Sequence, residues 1–137
     1  MAMQQVTVNL PESVYLRLQQ VAQGTQQSLS EVLAHAVKVG SPPSWDDVPA
    51  EFQADLAVLD RLDDDSLWQI ARSKQSDDDM MRYQVLLDKN ADETISELER
   101  VELTQLRVES DRLMLRKAHA ASLLRWRGHQ LPPSEKL

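Results

Sequence analysis

Residues 4–10, "QQVTVNL", decide which fold the sequence predicts. Apolar and polar side chains alternate strictly along this stretch. The apolar positions are Val6, Val8 and Leu10, and the polar positions are Gln5, Thr7 and Asn9. A period of two that includes β-branched residues predicts a strand with one buried face. Because no second strand pattern occurs in the chain, we expect this strand to pair with its counterpart in another copy, about a two-fold axis.

Two helices are predicted directly after this strand. Pro11 is tolerated at a first helical position, and apolar residues recur after it at helical spacing. Gly24 is a typical helix end. Ser28 and Glu31 form a capping box, which predicts the start of the second helix.

The chain divides into three parts by composition. Residues 1–40 form the strand-and-helices module, and residues 41–49 contain two adjacent prolines that predict an extended linker. Residues 50–137 predict an all-helical extension. The predicted fold class is therefore mostly α, with one N-terminal strand.

Helix boundaries in the extension are marked by local signals. Aspartate runs at residues 63–65 and 77–79 predict helix starts, because carboxylates there cap free amides and complement the helix dipole. The last helix is predicted from about Ser96 to Arg127, with Gly128 as its stop.

Charge is distributed unevenly along the chain. The net charge is −7; residues 1–40 are neutral, residues 41–100 carry −10, and residues 101–137 carry +3. The acidic middle is expected to repel nucleic acid and attract a basic partner. The absence of cysteine suits a reducing cytoplasm, and no apolar run is long enough to predict a membrane span.

The N-terminal module resembles the ribbon-helix-helix DNA-binding domain, which forms an intertwined dimer. The resemblance lies in the order of its predicted elements: a strand, a proline-initiated helix, a turn and a serine-capped helix. The resemblance implies that outward ribbon residues read base edges of double-stranded DNA and that the start of the second helix grips a phosphate. The base-reading residues would be Gln5, Thr7 and Asn9, and the phosphate-binding residues Ser28, Leu29 and Ser30. The chain departs from the family in having no Arg or Lys on the ribbon, which predicts weak binding.

Ribbon-helix-helix proteins with a longer extension resemble antitoxins of bacterial toxin–antitoxin operons. That resemblance implies that the extension binds a toxin, and the acidic segment would suit a basic one. Aromatic residues suited to partner pockets are Trp45, Phe52, Trp68 and Tyr83. Phe52 and Trp68 also fit a core position of the extension. The basic C-terminal end could contact nucleic acid, but internal pairing with the acidic middle is favoured.

Residues 88–99, "DKNADETISELE", have the oxygen-ligand spacing of an EF-hand calcium loop. Glu93 occupies the sixth position, where glycine normally supplies a sharp turn. Thr94 and Glu97 offer a competing interpretation, a capping box that starts the long helix, so a helix–turn–helix junction is favoured over calcium.

Other metals, cofactors and catalysis are not expected. His119 and His129 are ten residues apart and no Cys joins them, so no zinc site is predicted. Neither a phosphate-binding loop nor a catalytic motif occurs, so the chain is not expected to be an enzyme.

The sequence therefore predicts a homodimeric, sequence-specific DNA-binding protein, the antitoxin and autorepressor of a toxin–antitoxin operon. An alternative from another class is a dimeric adaptor that does not bind DNA and holds a protein partner through its C-terminal helices. The neutral ribbon favours this alternative.

Overall fold

The computed structural model describes residues 3–133, which form six α-helices and no β-strand. The helices are α1 (Glu12–Thr25), α2 (Leu29–Gly40), α3 (Ala50–Leu59), α4 (Asp64–Ala71), α5 (Asp77–Ala91) and α6 (Glu97–Trp126). The chain divides into two units, Met1–Ser41 and Pro42–Leu137. We call them the N-terminal and C-terminal units and describe each by itself.

Residues 4–10 have no regular secondary structure, and all of them are exposed. The predicted strand is therefore absent, and both the ribbon-helix-helix resemblance and the fold class that includes a strand are wrong. The physical reason is that alternation determines which side chains share a face but supplies no hydrogen-bonding partner for the backbone. Within the described residues there is no second strand to provide one.

The N-terminal unit is a pair of contacting helices, α1 and α2. Gly24 was predicted to end the first helix, but α1 continues to Thr25 and ends at Gln26, whose left-handed φ is 56°. The Gln26 amide bonds to carbonyls of the last turn, which lets a non-glycine residue serve as the cap. Ser28 caps α2 as predicted, accepting a hydrogen bond from the Glu31 amide at 3.1 Å.

Capping side chains also start α4 and α5 in the C-terminal unit. Asp63 accepts a hydrogen bond from the Ser66 amide at 2.9 Å at the start of α4. Ser76 accepts one from the Asp79 amide at 3.1 Å at the start of α5. The aspartate runs therefore lie at helix starts, as predicted, where carboxylates favour the positive end of the helix dipole.

Helix α6 begins at a capping box formed by Ser96 and Glu99 rather than by the predicted Thr94 and Glu97. The Ser96 hydroxyl accepts from the Glu99 amide, and the Glu99 carboxylate accepts from the Ser96 amide, both at 3.1 Å. Thr94 instead closes the end of α5, with its amide donating to the Lys89 carbonyl at 2.9 Å. Gly128 follows α6 with φ 101°, which confirms the predicted stop.

Two separate groups of buried residues line α6. The larger one joins α3 and α4 to the C-terminal half of α6 and contains Leu56, Leu59, Leu67, Ala71, Ala120, Leu123 and Leu124. The smaller one joins α5 to the N-terminal half of α6 through Leu86, Leu103 and Leu106. Helix α6 is thus the central helix on which α3, α4 and α5 pack. None of the described helices is both long and apolar enough to cross a bilayer.

Candidate functional site

The residues predicted to read DNA lie in two places on the N-terminal unit. Gln5, Thr7 and Asn9 are exposed on the irregular segment rather than on a ribbon. Ser28 is the N-cap of α2, so its hydroxyl is already occupied by a helix amide. Leu29 and Ser30 belong to the first turn of α2.

The N-terminal unit also carries an uncovered apolar surface. A shallow depression of about 340 Å³ is formed by residues of the irregular segment together with one residue from each helix. Its lining residues are Val6, Thr7, Val8, Leu10, Tyr15 and Leu33. Four of these six are aliphatic, so the depression is a hydrophobic surface, which we call the N-terminal apolar surface.

The four aromatic residues predicted to bind a partner are engaged within the C-terminal unit. Trp45 is half-buried and its indole N–H donates to Asp60 at 3.1 Å. Phe52 is buried. Trp68 lies edge-on to His129, with ring centroids 6.1 Å apart, and the Arg72 guanidinium lies 4.7 Å from its ring centroid.

Tyr83 is half-buried against the Leu86 cluster. All four aromatics therefore contribute to internal packing. A partner could reach Phe52 only by opening the helical bundle. Their role in partner binding stays a prediction.

The basic end of α6 pairs with acidic residues from α3, α4 and the segment between these helices. Arg127 donates to Asp64 at 2.9 Å and to the Leu62 carbonyl at 2.8 Å. Hydrogen bonds from Arg127 and then from His129 hold the pKa of Asp64 below its usual value. For Arg127, this observation confirms the predicted internal pairing of the basic end with the acidic middle.

Two further contacts extend the same pattern. Arg112 lies 2.8 Å from Asp55 of α3, and the buried His119 lies 2.8 Å from Asp60. The Arg112–Asp55 and Arg127–Asp64 pairs join two arginines at α6 to carboxylates of α3 and α4, and so help to orient these helices on α6.

A second ionic cluster joins α5 to the start of α6. Arg82 donates two hydrogen bonds to Glu102, each 2.9 Å long. Lys89 contacts Glu99 at 2.5 Å. The Lys89 hydrogen bond and then the Ser96 amide lower the pKa of Glu99 to about 2.

The calcium-like stretch, residues 88–99, is built as a junction between α5 and α6. Asp88 and Asn90 lie inside α5, and Glu99 is occupied by Lys89 and Ser96. Glu93 has a left-handed φ of 60°, so the turn that glycine would normally make is made by a glutamate. Among residues 3–133, no group of three or more acidic, His or Cys side chains is placed to hold a metal ion.

An apolar groove, which the sequence did not predict, runs along α6 beside the end of α4. Its volume is about 490 Å³. The apolar lining comprises Ala71, Leu113, Met114, Ala118 and Ala121, while Lys117 and Arg125 supply positive charge. We call it the α6 groove. The available sequence signal was the run of small residues at 118–122, which leaves room beside the helix.

Comparisons with known proteins found no counterpart for this chain. No protein-family model matches it, and neither the curated proteins nor the solved structures yield a match. Function is therefore inferred from the N-terminal apolar surface and the α6 groove.

Proposed function

We propose that the protein is a self-associating adaptor. Two copies join through the N-terminal apolar surface, and the C-terminal unit of each copy carries a protein partner. The observation that supports this proposal is the exposure of apolar side chains on the N-terminal unit. These exposed residues are Met3, Val6, Val8, Leu10, Val14, Tyr15, Leu16, Val37 and Val39.

The N-terminal unit has too little core to account for its own stability. Among its described residues, Ala22 and Val32 are the buried apolar ones. A unit of about 40 residues normally needs disulfides, a metal or a partner chain to fold, and the sequence contains no cysteine. Association with a second copy would bury the exposed apolar side chains and supply the missing core.

The charge distribution favours contact through this unit. Residues 1–40 contain two acidic and two basic residues, so two such units meet without net repulsion. The rest of the chain carries the whole net charge of −7 and would repel its counterpart. A second copy is therefore the occupant whose charge best matches the N-terminal apolar surface.

Sedimentation velocity of the full chain over a wide concentration range tests this proposal. We expect a species of about twice 15.6 kDa that dissociates on dilution. Val8→Glu places a charge on the N-terminal apolar surface and should shift the protein to monomer. Gln23→Glu, an equally charged change at an exposed α1 position outside this surface, should leave the dimer intact. A monomer at every concentration, or equal effects of the two variants, would refute the proposal.

DNA binding by an antitoxin stays a prediction and is the second candidate function. The observation in its favour is that Gln5, Thr7 and Asn9 are exposed to solvent and available for contact. A mobility-shift assay with the DNA upstream of the coding sequence tests it. Specific binding that is lost in the Gln5→Ala, Asn9→Ala double variant would support operator recognition. No shift with the wild-type protein would leave the adaptor as the better account.

A basic protein partner, such as a toxin, also stays a prediction for the C-terminal unit. Exposed acidic residues that could meet it include Asp65 of α4 and Asp77, Asp78 and Asp79 of α5. Co-purification of the intact protein from its source, followed by mass spectrometry, would identify the partner. Recovery of a basic protein whose binding weakens with salt would support this prediction.

A further inference from the structure

We propose that the α6 groove binds an acidic amphipathic helix of a partner protein. The proposal rests on the partner-binding half of the proposed function and names the surface and chemistry involved. It is a different surface from the acidic helix starts described above. The groove combines an apolar lining with two cations. The lining would contact the apolar face of the partner helix, and the cations would contact its carboxylates.

The size of the groove suits a helix. Its lining on α6 extends from Ser110 to Arg125, which at 1.5 Å per residue is roughly 22 Å along the helix axis. A partner helix of about four turns would span it. The small side chains of Ala118, Ala121 and Ser122 allow another helix to approach closely. Anchoring by residues at i, i+4 and i+7 of the partner is the usual mode of such docking.

The charge of the occupant follows from Lys117 and Arg125. Within residues 3–133, neither side chain makes a hydrogen bond or an ion pair, whereas Arg112 of the same helix and Arg127, the residue that follows it, are both paired with aspartates. The chain has 22 acidic residues and only 15 Lys and Arg. In so acidic a protein, two unpaired cations beside one groove indicate a surface that is complementary to external carboxylates.

The two cations also define where the carboxylates of the partner should lie. Lys117 and Arg125 are eight residues apart, which places them roughly 12 Å from each other along α6. Acidic residues two helical turns apart on the partner would meet both. An acidic helix with apolar anchors between such residues therefore matches the groove in both charge and spacing.

Nucleic acid is a poorer occupant than an acidic helix. The net charge of −7 opposes approach of a phosphate backbone, and two cations offer few phosphate contacts. The apolar lining would gain little from a phosphate backbone but would be covered by leucine side chains.

Fluorescence anisotropy with designed peptides tests the assignment. The probe is a labelled 16-residue helical peptide with leucines along one face and glutamates on both flanks, and its counterpart carries lysines in place of the glutamates. We expect saturable binding of the glutamate peptide to the full chain, weakening as salt is raised. The lysine peptide can meet the acidic helix starts of α4 and α5, so its binding should not weaken when Lys117 and Arg125 are both replaced by glutamate. Absence of glutamate-peptide binding would overturn the proposal.

Two variants localise the binding. Lys117→Glu with Arg125→Glu should weaken binding of the glutamate peptide by about tenfold or more, because each lost charge pair becomes a repulsion. The control, Arg61→Glu with Arg107→Glu, makes the same charge change at exposed positions outside the groove. Circular dichroism checks that both variants are folded. An equal loss in the control would overturn the assignment to the groove.

Filling the groove is an independent test. Ala118→Trp, at an exposed position of the lining, should block the peptide without changing net charge. Unchanged affinity would contradict the proposal.

Sedimentation of the same samples separates this proposal from self-association. A dimer that binds neither peptide would overturn the groove assignment but not the proposed self-association. A monomer that binds the glutamate peptide would refute self-association alone.

Discussion

The two units are both helical, yet they differ in how their helices are held together. In the C-terminal unit, α3, α4 and α5 pack on α6 through buried leucines and through ion pairs between distant residues. In the described part of the N-terminal unit, α1 and α2 meet with only Ala22 and Val32 buried. No ion pair is formed between those two helices.

This difference shows that forming helices and closing a core are separate requirements. Serine side chains cap helices in both units, as Ser28 does at α2 and Ser96 at α6. In addition, the C-terminal unit contains α6, a helix of 30 residues that is long enough for α3, α4 and α5 to pack on it. We therefore expect substitutions to have different consequences in the two units.

The largest expected effect is the removal of a central core side chain. Leu124 of α6 is fully buried in the larger cluster. Leu124→Ala should lower the free energy of unfolding by about 2–5 kcal/mol, because it removes buried apolar area and leaves a cavity. Urea unfolding followed by tryptophan fluorescence measures this in the C-terminal unit, where Trp45, Trp68 and Trp126 all lie.

The matched change in the N-terminal unit is Val37→Ala, at a side chain that is 66% exposed. It should alter the tryptophan-monitored unfolding by less than about 0.5 kcal/mol. Similar losses in the two variants would contradict the difference drawn between the units.

Loss of the Arg127 side chain should have the next largest effect. Its guanidinium donates to the Leu62 carbonyl, to Asp64 and to the Asp60 carbonyl, so Arg127→Met removes this donor from three acceptors. We expect a loss of about 1–3 kcal/mol in the same urea experiment.

Arg125→Met, two residues earlier on the same helix, is the control, because Arg125 is exposed and makes no ion pair with the described residues. A comparable loss in this control would show that charge at the end of α6, rather than the specific contacts, determines stability.

A smaller effect is expected at the helix caps. Ser96→Ala removes the capping hydroxyl of α6 and should lower the tryptophan-monitored stability by about 1 kcal/mol. Ser28→Ala removes the same type of cap from α2. It should leave the tryptophan signal unchanged, because that cap supports the other unit. A change of similar size in both variants would indicate that the two units unfold together.

The smallest effect concerns acid sensitivity at the start of α6. Contacts with Lys89 and Ser96 lower the pKa of Glu99 from 4.5 to about 2. A carboxylate with a lowered folded-state pKa contributes stability above pH 4.5, and this contribution disappears as the pH falls toward 2. Glu99→Gln should therefore flatten the fall in stability across this window.

The control for this pH dependence is Glu97→Gln, because the Glu97 side chain is 92% exposed. Urea midpoints measured at several pH values between 2 and 7 would provide the comparison. Identical pH profiles for wild-type protein and Glu99→Gln would show that the Lys89 contact does not contribute.

Sequence-based predictions succeeded where a few neighbouring residues decide the structure. Ser28 starts α2, and Gly128 follows α6, because each of these features depends on hydrogen bonds or dihedral angles within one turn. The errors in helix boundaries at Gly24 and Thr94 are displacements by two residues along the chain.

The prediction for residues 4–10 failed for a different reason. The alternation of valines indicates which side chains would share one face of a strand, but not what would pack against that face. A strand also needs a second strand whose backbone forms hydrogen bonds with its own. The α6 groove could not be predicted either, because it depends on which side of α6 is left uncovered by α4. Small residues at 118–122 were compatible with a close helix contact as well as with an open groove.

By itself, the sequence determined where several helices begin and that charge is concentrated away from the first 40 residues. These properties follow from interactions over three or four residues and from simple composition. Tertiary structure alone decided that Arg127 meets Asp64, 63 residues away, and that Lys117 and Arg125 meet no acidic residue of the described chain. Such pairings depend on how helices are oriented on one another, which is set by the burial of leucines from distant segments around α6.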